Sequence, residues 1–271
     1  MTTCSADRPP RPALPPLLRD GRGVRVALID SGVDASHPWL SAAPLEHVAV
    51  QRQGRGFDVV AAAAGDHSGH GTACAGIIHR LVPAAHITSV RALGEDGRCS
   101  RGALISALMY CIKQRFDVVN LSLGIDIPRK AHLKVSDHLP LLRLYEAADA
   151  ANTLGVVLVA SGPNVQHFRT YPGRCKALVG VGRDAFDNRE MLRSERTRDY
   201  EVVAPGTDVL APALGGGERR WTGTSFACPF ITAHVARIRA ARPGLAVAAV
   251  KMALHALAAA CHPAPTPEAL S

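Results

Sequence analysis

The 271-residue chain is 47% hydrophobic, 20% charged and 4% aromatic, with a formal net charge of +8. This near-average composition excludes a disordered, collagen-like or coiled-coil chain, and the length suits one large domain with ample apolar surface to bury. No stretch reaches the roughly 18 uninterrupted apolar residues of a membrane span. No basic run carries interleaved aromatics for stacking on bases, so neither a membrane nor a nucleic acid is expected as a partner.

Residues 1–23 form a Pro- and Arg-rich lead-in (Pro9, Pro10, Pro12, Pro15, Pro16) that reads as extended chain. It lacks the apolar segment of a secretory signal. Seven cysteines (Cys4, Cys74, Cys99, Cys111, Cys175, Cys228, Cys261) are scattered, odd in number and without a Cys-x-x-Cys pair. They read as small buried hydrophobes in a reducing compartment, so a cytoplasmic location is expected. Order begins with the apolar run 24–29, which ends at Asp30-Ser31-Gly32, and similar runs follow at 86–93, 117–123, 155–160 and 177–182. Helix-like stretches lie between them at 71–80, 101–115 and 141–154. In the last of these, Leu141, Leu144, Tyr145, Ala148 and Ala151 recur at helical spacing. A further apolar helix at 245–261 is interrupted by Lys251 and His255. Strand and helix alternating in this way predict an α/β fold with a mainly parallel sheet between two helix layers, over one domain at 24–262 and a short tail at 263–271. The run 183–201 holds five Arg against six Asp or Glu and reads as a solvated loop or helix face.

Parallel α/β sheets bind ligands beyond the carboxyl ends of their strands, so polar residues that follow apolar runs are the first candidates. Asp30, Ser122 to Gly124, and Ser161-Gly162-Pro163-Asn164 stand at such ends. Two further segments, His67-Ser68-Gly69-His70-Gly71-Thr72 and Gly223-Thr224-Ser225-Phe226-Ala227-Cys228-Pro229, set reactive side chains among small residues at helix starts. Singly, each has an ordinary structural explanation as a turn or a cap. Together they offer an Asp, a His and a Ser. A serine hydroxyl needs an adjacent base, and an imidazole base needs a carboxylate to fix its tautomer.

The motifs Asp30-Ser31-Gly32-Val33-Asp34, His70-Gly71-Thr72 and Gly223-Thr224-Ser225 with Pro229 resemble those of the subtilisin-like serine proteases, the subtilases. Val90 to Gly94, Asp117 to Gly124, Tyr171-Pro172-Gly173 and Ala204-Pro205-Gly206 follow in the order found in that family. The resemblance implies a three-layer subtilisin-like fold and peptide-bond hydrolysis through an acyl-enzyme. Ser225 would be the nucleophile, His70 the general base and Asp30 its orienting carboxylate. Asn164 would be the oxyanion donor, displaced by one residue because Pro163 follows Gly162. Ser122, Leu123 and Gly124 on one side, and Gly97 and Arg98 on the other, would hold an extended peptide.

Departures from the family pattern refine the expectation. Residues 77–84 are short where secreted relatives carry a calcium-binding loop, so no calcium is expected there. His67, His70 and His79 could suggest zinc, but the resemblance gives His70 to catalysis, so no metal or cofactor is expected. With Asp30 so near Met1, no folding pro-domain is expected. Residues 125–140 look like an insertion beside the cleft, either a plain surface loop or a specificity lid. Arg98, Arg101, Arg129, Lys130 and Lys134 would make that rim electropositive and favour a peptide that is acidic near the cleavage site. Cys228 reads as a buried, inert thiol. These features are similar to small subtilases that mature one dedicated substrate, such as leader-peptide proteases and the protease that matures quinohemoprotein amine dehydrogenase. A partner protein could then take part. A general intracellular degradative protease and a non-catalytic peptide-binding homologue are the competing readings.

Overall fold

A computed structural model of the protein describes residues 20–132 and 134–261; most of the expected lead-in, with Cys4, and the tail lie outside them. The chain runs through β1 (Arg25–Asp30), β2 (Gly32–Val33), β3 (Leu45–Gln53), β4 (Gly56–Ala61), β5 (Gly65–Asp66), α1 (His70–Leu81) and β6 (His86–Arg91). Then come α2 (Arg101–Lys113), β7 (Val118–Leu121), β8 (Ile125–Pro128), α3 (Val135–Thr153), β9 (Val157–Ser161), β10 (Phe168–Tyr171) and β11 (Val179–Asp184). The last third holds β12 (Arg193–Ser194), β13 (Val202–Pro205), β14 (Val209–Pro212), β15 (Glu218–Trp221), α4 (Thr224–Ala241) and α5 (Val247–Cys261).

Nine strands form the main sheet in the order β12-β13-β11-β9-β7-β1-β6-β3-β4. Every pairing from β13 across to β3 is parallel, and only the outer strands β12 and β4 run antiparallel. The near-continuous apolar runs of the central strands follow from burial on both faces. Because side chains alternate along a strand, each strand feeds two cores. Val26, Leu28, Val118, Val157 and Val159 pack with Ala73, Ile78 and Phe230 of α1 and α4. Ala27, Ile29, Val119, Leu158 and Ala160 pack with Leu104 and Leu108 of α2 and Leu144 of α3 on the opposite face.

The chain leaves β1 through α1 to reach β6 on one side, then returns through α2 to β7 on the other. The carboxyl end of β1 is therefore flanked by segments leaving both neighbours, the position where an open α/β sheet forms its binding crevice.

Several expectations need adjustment. The helix expected over 141–154 begins at Val135, so the second half of the proposed insertion is helix, and β8 pairs antiparallel with β10 to make its first half a ribbon. The polar start of α3 has no apolar stripe from which a helix could be read. The mixed-charge run is a loop, but it is not simply solvated. Asp199 is buried and bound by Arg129 and Arg174, while Arg193 bridges Asp184 and Glu195. In α5, Lys251 donates to the Lys176 and Leu178 carbonyls, and His255 meets the Ser194 hydroxyl at 2.8 Å. The two polar interruptions thus tie this helix to neighbouring loops. Among the described residues, no helix is long and apolar enough to cross a membrane.

Candidate active site

Asp30 closes β1 and is 1% exposed. Its Oδ1 accepts from the Ser31 backbone N–H at 2.8 Å and faces His70 Nδ1 at 2.7 Å. His70 is the first residue of α1. The next residue must be glycine, because a Cβ on Gly71 would stand 2.0 Å from the Gly32 carbonyl oxygen and 3.2 Å from Asp30 Cβ. The missing side chain lets the helix start approach β1 closely enough to make the Asp–His contact.

A second carboxylate supports this junction. Asp66 Oδ1 accepts from the backbone N–H groups of Ser68 and Gly69, both at 3.0 Å, and Oδ2 accepts from Thr72 N–H at 2.9 Å and Thr72 Oγ1 at 2.7 Å. It also accepts from Ser31 Oγ at 2.8 Å, and that hydroxyl in turn accepts from Gly71 N–H at 3.0 Å. Asp66 thus satisfies free donors at the α1 N-terminus, where Gly69 supplies no side-chain cap. Burial opposes its charge, but the Thr72, Ser31 and Ser68 donors outweigh it and lower its pKa. The motif reading overlooked Asp66. Its signal is an acidic residue shortly before a helix start.

Ser225 is the second residue of α4. Pro229, four residues on, has no N–H to return to the Ser225 carbonyl. That oxygen accepts instead from Ser122 Oγ at 2.7 Å and from Cys74 Sγ at 3.6 Å. The proline therefore frees a helix carbonyl that anchors the start of α4 to the end of β7 and to α1. Ser122 Oγ also accepts from Asn120 Nδ2 at 2.8 Å, so its side chain braces the helix, and only its main chain remains for a peptide. Phe226 and Trp221 wall the His70 ring, with centroids 5.0 and 6.3 Å away. Among the described residues the Ser225 hydroxyl has no hydrogen-bond partner within 3.5 Å, so its contact with His70 is open here. Such contacts commonly tighten only when substrate is bound.

Asn164 reaches this site despite Pro163. Its Oδ1 accepts from Thr224 N–H at 2.8 Å, while Thr224 Oγ1 donates to the Gly162 carbonyl at 2.8 Å. With Oδ1 held by the residue before Ser225, the Asn164 NH₂ is left as a donor at the start of α4. Gly124 is pressed against β10, where a Cβ would meet Thr170 Cγ2 at 2.7 Å. Gly97 and Arg98 form a tight turn closed by Gly97 N–H to the Gly94 carbonyl at 2.9 Å. The segments 92–98 and 122–124 leave the two strands that flank β1, on either side of Asp30. Arg129 is not a free cation of the rim: it binds Asp199 and donates to the Gln166 carbonyl at 2.6 Å. Arg98 and Arg101 are exposed.

Burial of the His70 ring disfavours its charge, but the Asp30 carboxylate more than compensates and raises its pKa well above the ordinary value. Burial pushes the Cys228 thiol well up, and its Sγ faces the Val159 carbonyl at 3.3 Å. That agrees with an inert packing cysteine. Of the histidines considered for zinc, His67 stands 4.0 Å from Glu95, while among the described residues Asp30, His70 and Cys74 are potential ligands brought within 4.8 Å of one another.

Residues 21–266 match the subtilase family. An intracellular serine protease of Paenibacillus polymyxa is 29% identical over 236 residues, covering 81% of this chain and 67% of the relative. Subtilisin BL of Lederbergia lenta is 29% identical over 233 residues, covering 82% of this chain and 78% of its own. The crystal structure of a cold adapted subtilisin-like serine proteinase superposes with a TM-score of 0.64 at 24% identity, over 86% of this chain and 81% of that one. That likeness concerns the fold, which is α/β with the parallel sheet described above. With the family match spanning most of the sequence, the chain belongs to the subtilase family and is a subtilisin-like serine endopeptidase.

Proposed function

We propose that Ser225, His70 and Asp30 form the catalytic triad, with Asn164 as oxyanion donor, and that the enzyme processes a narrow set of peptides. The observation that carries the triad is the contact of buried Asp30 with the partly exposed His70, 2.7 Å between Oδ1 and Nδ1, set against the start of α4. In this reading Ser225 Oγ attacks the scissile carbonyl and gives its proton to His70 Nε2. The Nδ1–H stays on the Asp30 carboxylate, which holds the tautomer and stabilises the imidazolium. The oxyanion faces the Ser225 N–H and the Asn164 NH₂, both fixed before the reaction. His70 then protonates the leaving amine, and water repeats the sequence to release the acyl group.

The substrate lies extended between Gly97–Arg98 and the main chain of Ser122, Leu123 and Gly124, as an added strand. Support for narrow specificity comes from the wall beside Asn164. There the β8–β10 ribbon and the Arg129–Asp199 tie brace the cleft instead of leaving a pliable loop. With Arg129 committed, Arg98 and Arg101 are left to favour acidic residues near the cleaved bond. Maturation of a dedicated leader or precursor, with or without a partner protein, fits such a cleft better than bulk degradation. Six free cysteines among the described residues suit a reducing, cytoplasmic setting.

The test is digestion of unfolded casein and of a peptide library by the wild type and by Ser225→Ala. Selective cleavage of acidic library members, little casein hydrolysis and an inactive Ser225→Ala protein are expected. Rapid casein hydrolysis would favour the degradative reading. An Arg98→Glu/Arg101→Glu protein that kept the wild-type ratio of acidic to neutral cleavage would remove the role of the rim.

A further inference from the structure

We propose that a cavity at the carboxyl ends of β9 and β11 binds a small molecule bearing phosphate or carboxylate groups, apart from the peptide cleft. The cavity measures about 530 Å³ and is walled by Asn164 and Gln166 after β9, Arg183 of β11, Asp199 and Tyr200 before β13, and Arg129. The sheet order sets β11 and β13 on one side of β9 and β7 on the other. The segment 162–166 therefore separates this cavity from Ser122, Leu123 and Gly124, which leave β7. On the cavity side, a Cβ on Gly182 would stand 2.7 Å from Tyr200 Cε2, so the bare glycine lets the Tyr200 ring lie against β11. Parallel sheets take their ligands beyond the carboxyl ends of strands, and the volume falls in the range of about 300–1,000 Å³ usual for small-molecule sites.

Charge sets the class of ligand. Among the described residues that line the cavity, Asp199 is the one acid, and two guanidinium groups already bind it, those of Arg129 and Arg174. Arg129 uses Nε on the Gln166 carbonyl and Nη2 on Asp199, which leaves its Nη1 donors unused. Arg183 donates through Nη1 to Thr207 Oγ1 at 3.0 Å, and among the described residues no carboxylate lies within 4.0 Å of its guanidinium. The nearby acids Asp184 and Glu195 are both held by Arg193, at 3.0 and 2.9 Å. The walls and the groups bound to them thus set three guanidinium groups against one carboxylate. Guanidinium forks match the paired oxygens of phosphate and carboxylate, so the surplus positive charge selects an oxyanion. Because the cavity opens away from Ser122 to Gly124, its ligand does not compete with the peptide.

Calorimetric titration of inorganic pyrophosphate, and separately of citrate, into Ser225→Ala reads binding without activity. Constant ionic strength removes the general attraction of a basic protein for anions. A single saturable site is expected for at least one probe, and the probe that binds tells phosphate from carboxylate recognition. Adding Arg183→Gln should weaken binding by about tenfold, the loss of one hydrogen bond to a charged group. Gln166→Glu, a change at an exposed position, should weaken it by repulsion and decides alone if Arg183→Gln does not fold. Arg98→Glu/Arg101→Glu should bind like the parent, since those residues lie across the peptide cleft. With the active enzyme, the bound probe should leave KM for a peptide unchanged. No saturable binding of either probe, an affinity unmoved by Gln166→Glu, binding lost in Arg98→Glu/Arg101→Glu, or competition with the peptide would each overturn the proposal.

Discussion

Around Ser225 the individual residues do unequal work. Asn164 holds its carbonyl oxygen on Thr224 N–H, so its amide donor is oriented before any charge develops. Replacing it by alanine should lower kcat by about 10²–10³-fold with little change in KM, the loss expected for one oxyanion donor. Steady-state kinetics on one peptide substrate check this; an unchanged kcat would mean that Asn164 faces no oxyanion. In the proposed role of base, His70 acts only when neutral. Asp30 raises its pKa well above the usual value near 6.5, so acidification should abolish kcat/KM from a higher pH than an ordinary histidine would give. A pH–rate profile reads this directly from its acid limb.

At the level of elements, the site is the meeting of three chain ends: the carboxyl end of β1, the start of α1 and the start of α4. Gly71 sets the first contact, since any Cβ there meets backbone. Gly71→Ala should push α1 from β1, destabilise the fold by about 1–3 kcal/mol and lower kcat through the lengthened Asp30–His70 contact. Thermal melts and kinetics together test this, and a variant with wild-type values would show that the junction is not tight. Much of this architecture was legible in the sequence. The buried strands show as continuous apolar runs, and the polar residues at their ends mark the crevice. The outer strands β3 and β4 did not stand out, because they are partly exposed and mix polar with apolar positions. Asp66 was missed for a different reason. Its role is to collect backbone donors from loop and helix, and a lone acidic residue does not reveal such a pattern. Ser122 stands at the end of β7, and its hydroxyl supports the Ser225 carbonyl, which Pro229 leaves without a helix hydrogen bond; the serine and the proline lie too far apart in the chain for that contact to be read from the sequence. Arg129 was read as a rim charge, and only the fold shows Asp199 opposite it.

For the whole molecule, charge and burial set a pH window. His234 lies buried in α4 beside Arg237 and Glu190, and burial followed by the Arg237 charge lowers its pKa to about 4. An unfolded chain protonates this histidine near 6.5, so between the two values the unfolded state holds one more proton and stability must fall as pH falls. The loss attributable to His234 is about 3 kcal/mol across that interval. The lowered His47, His79 and His255 act in the same direction. Chemical denaturation at several pH values should show this slope, reduced in His234→Gln; an identical slope in the variant would place the acid sensitivity elsewhere. The proposed triad, by contrast, places reactivity at one hydroxyl, that of Ser225. Intact-mass analysis after treatment with a fluorophosphonate, for wild type and Ser225→Ala side by side, tests the catalytic assignment most directly. A single adduct on the wild type and none on Ser225→Ala is the result that the proposed Asp30–His70–Ser225 triad predicts. An unlabelled wild type, or equal labelling of both proteins, would contradict it.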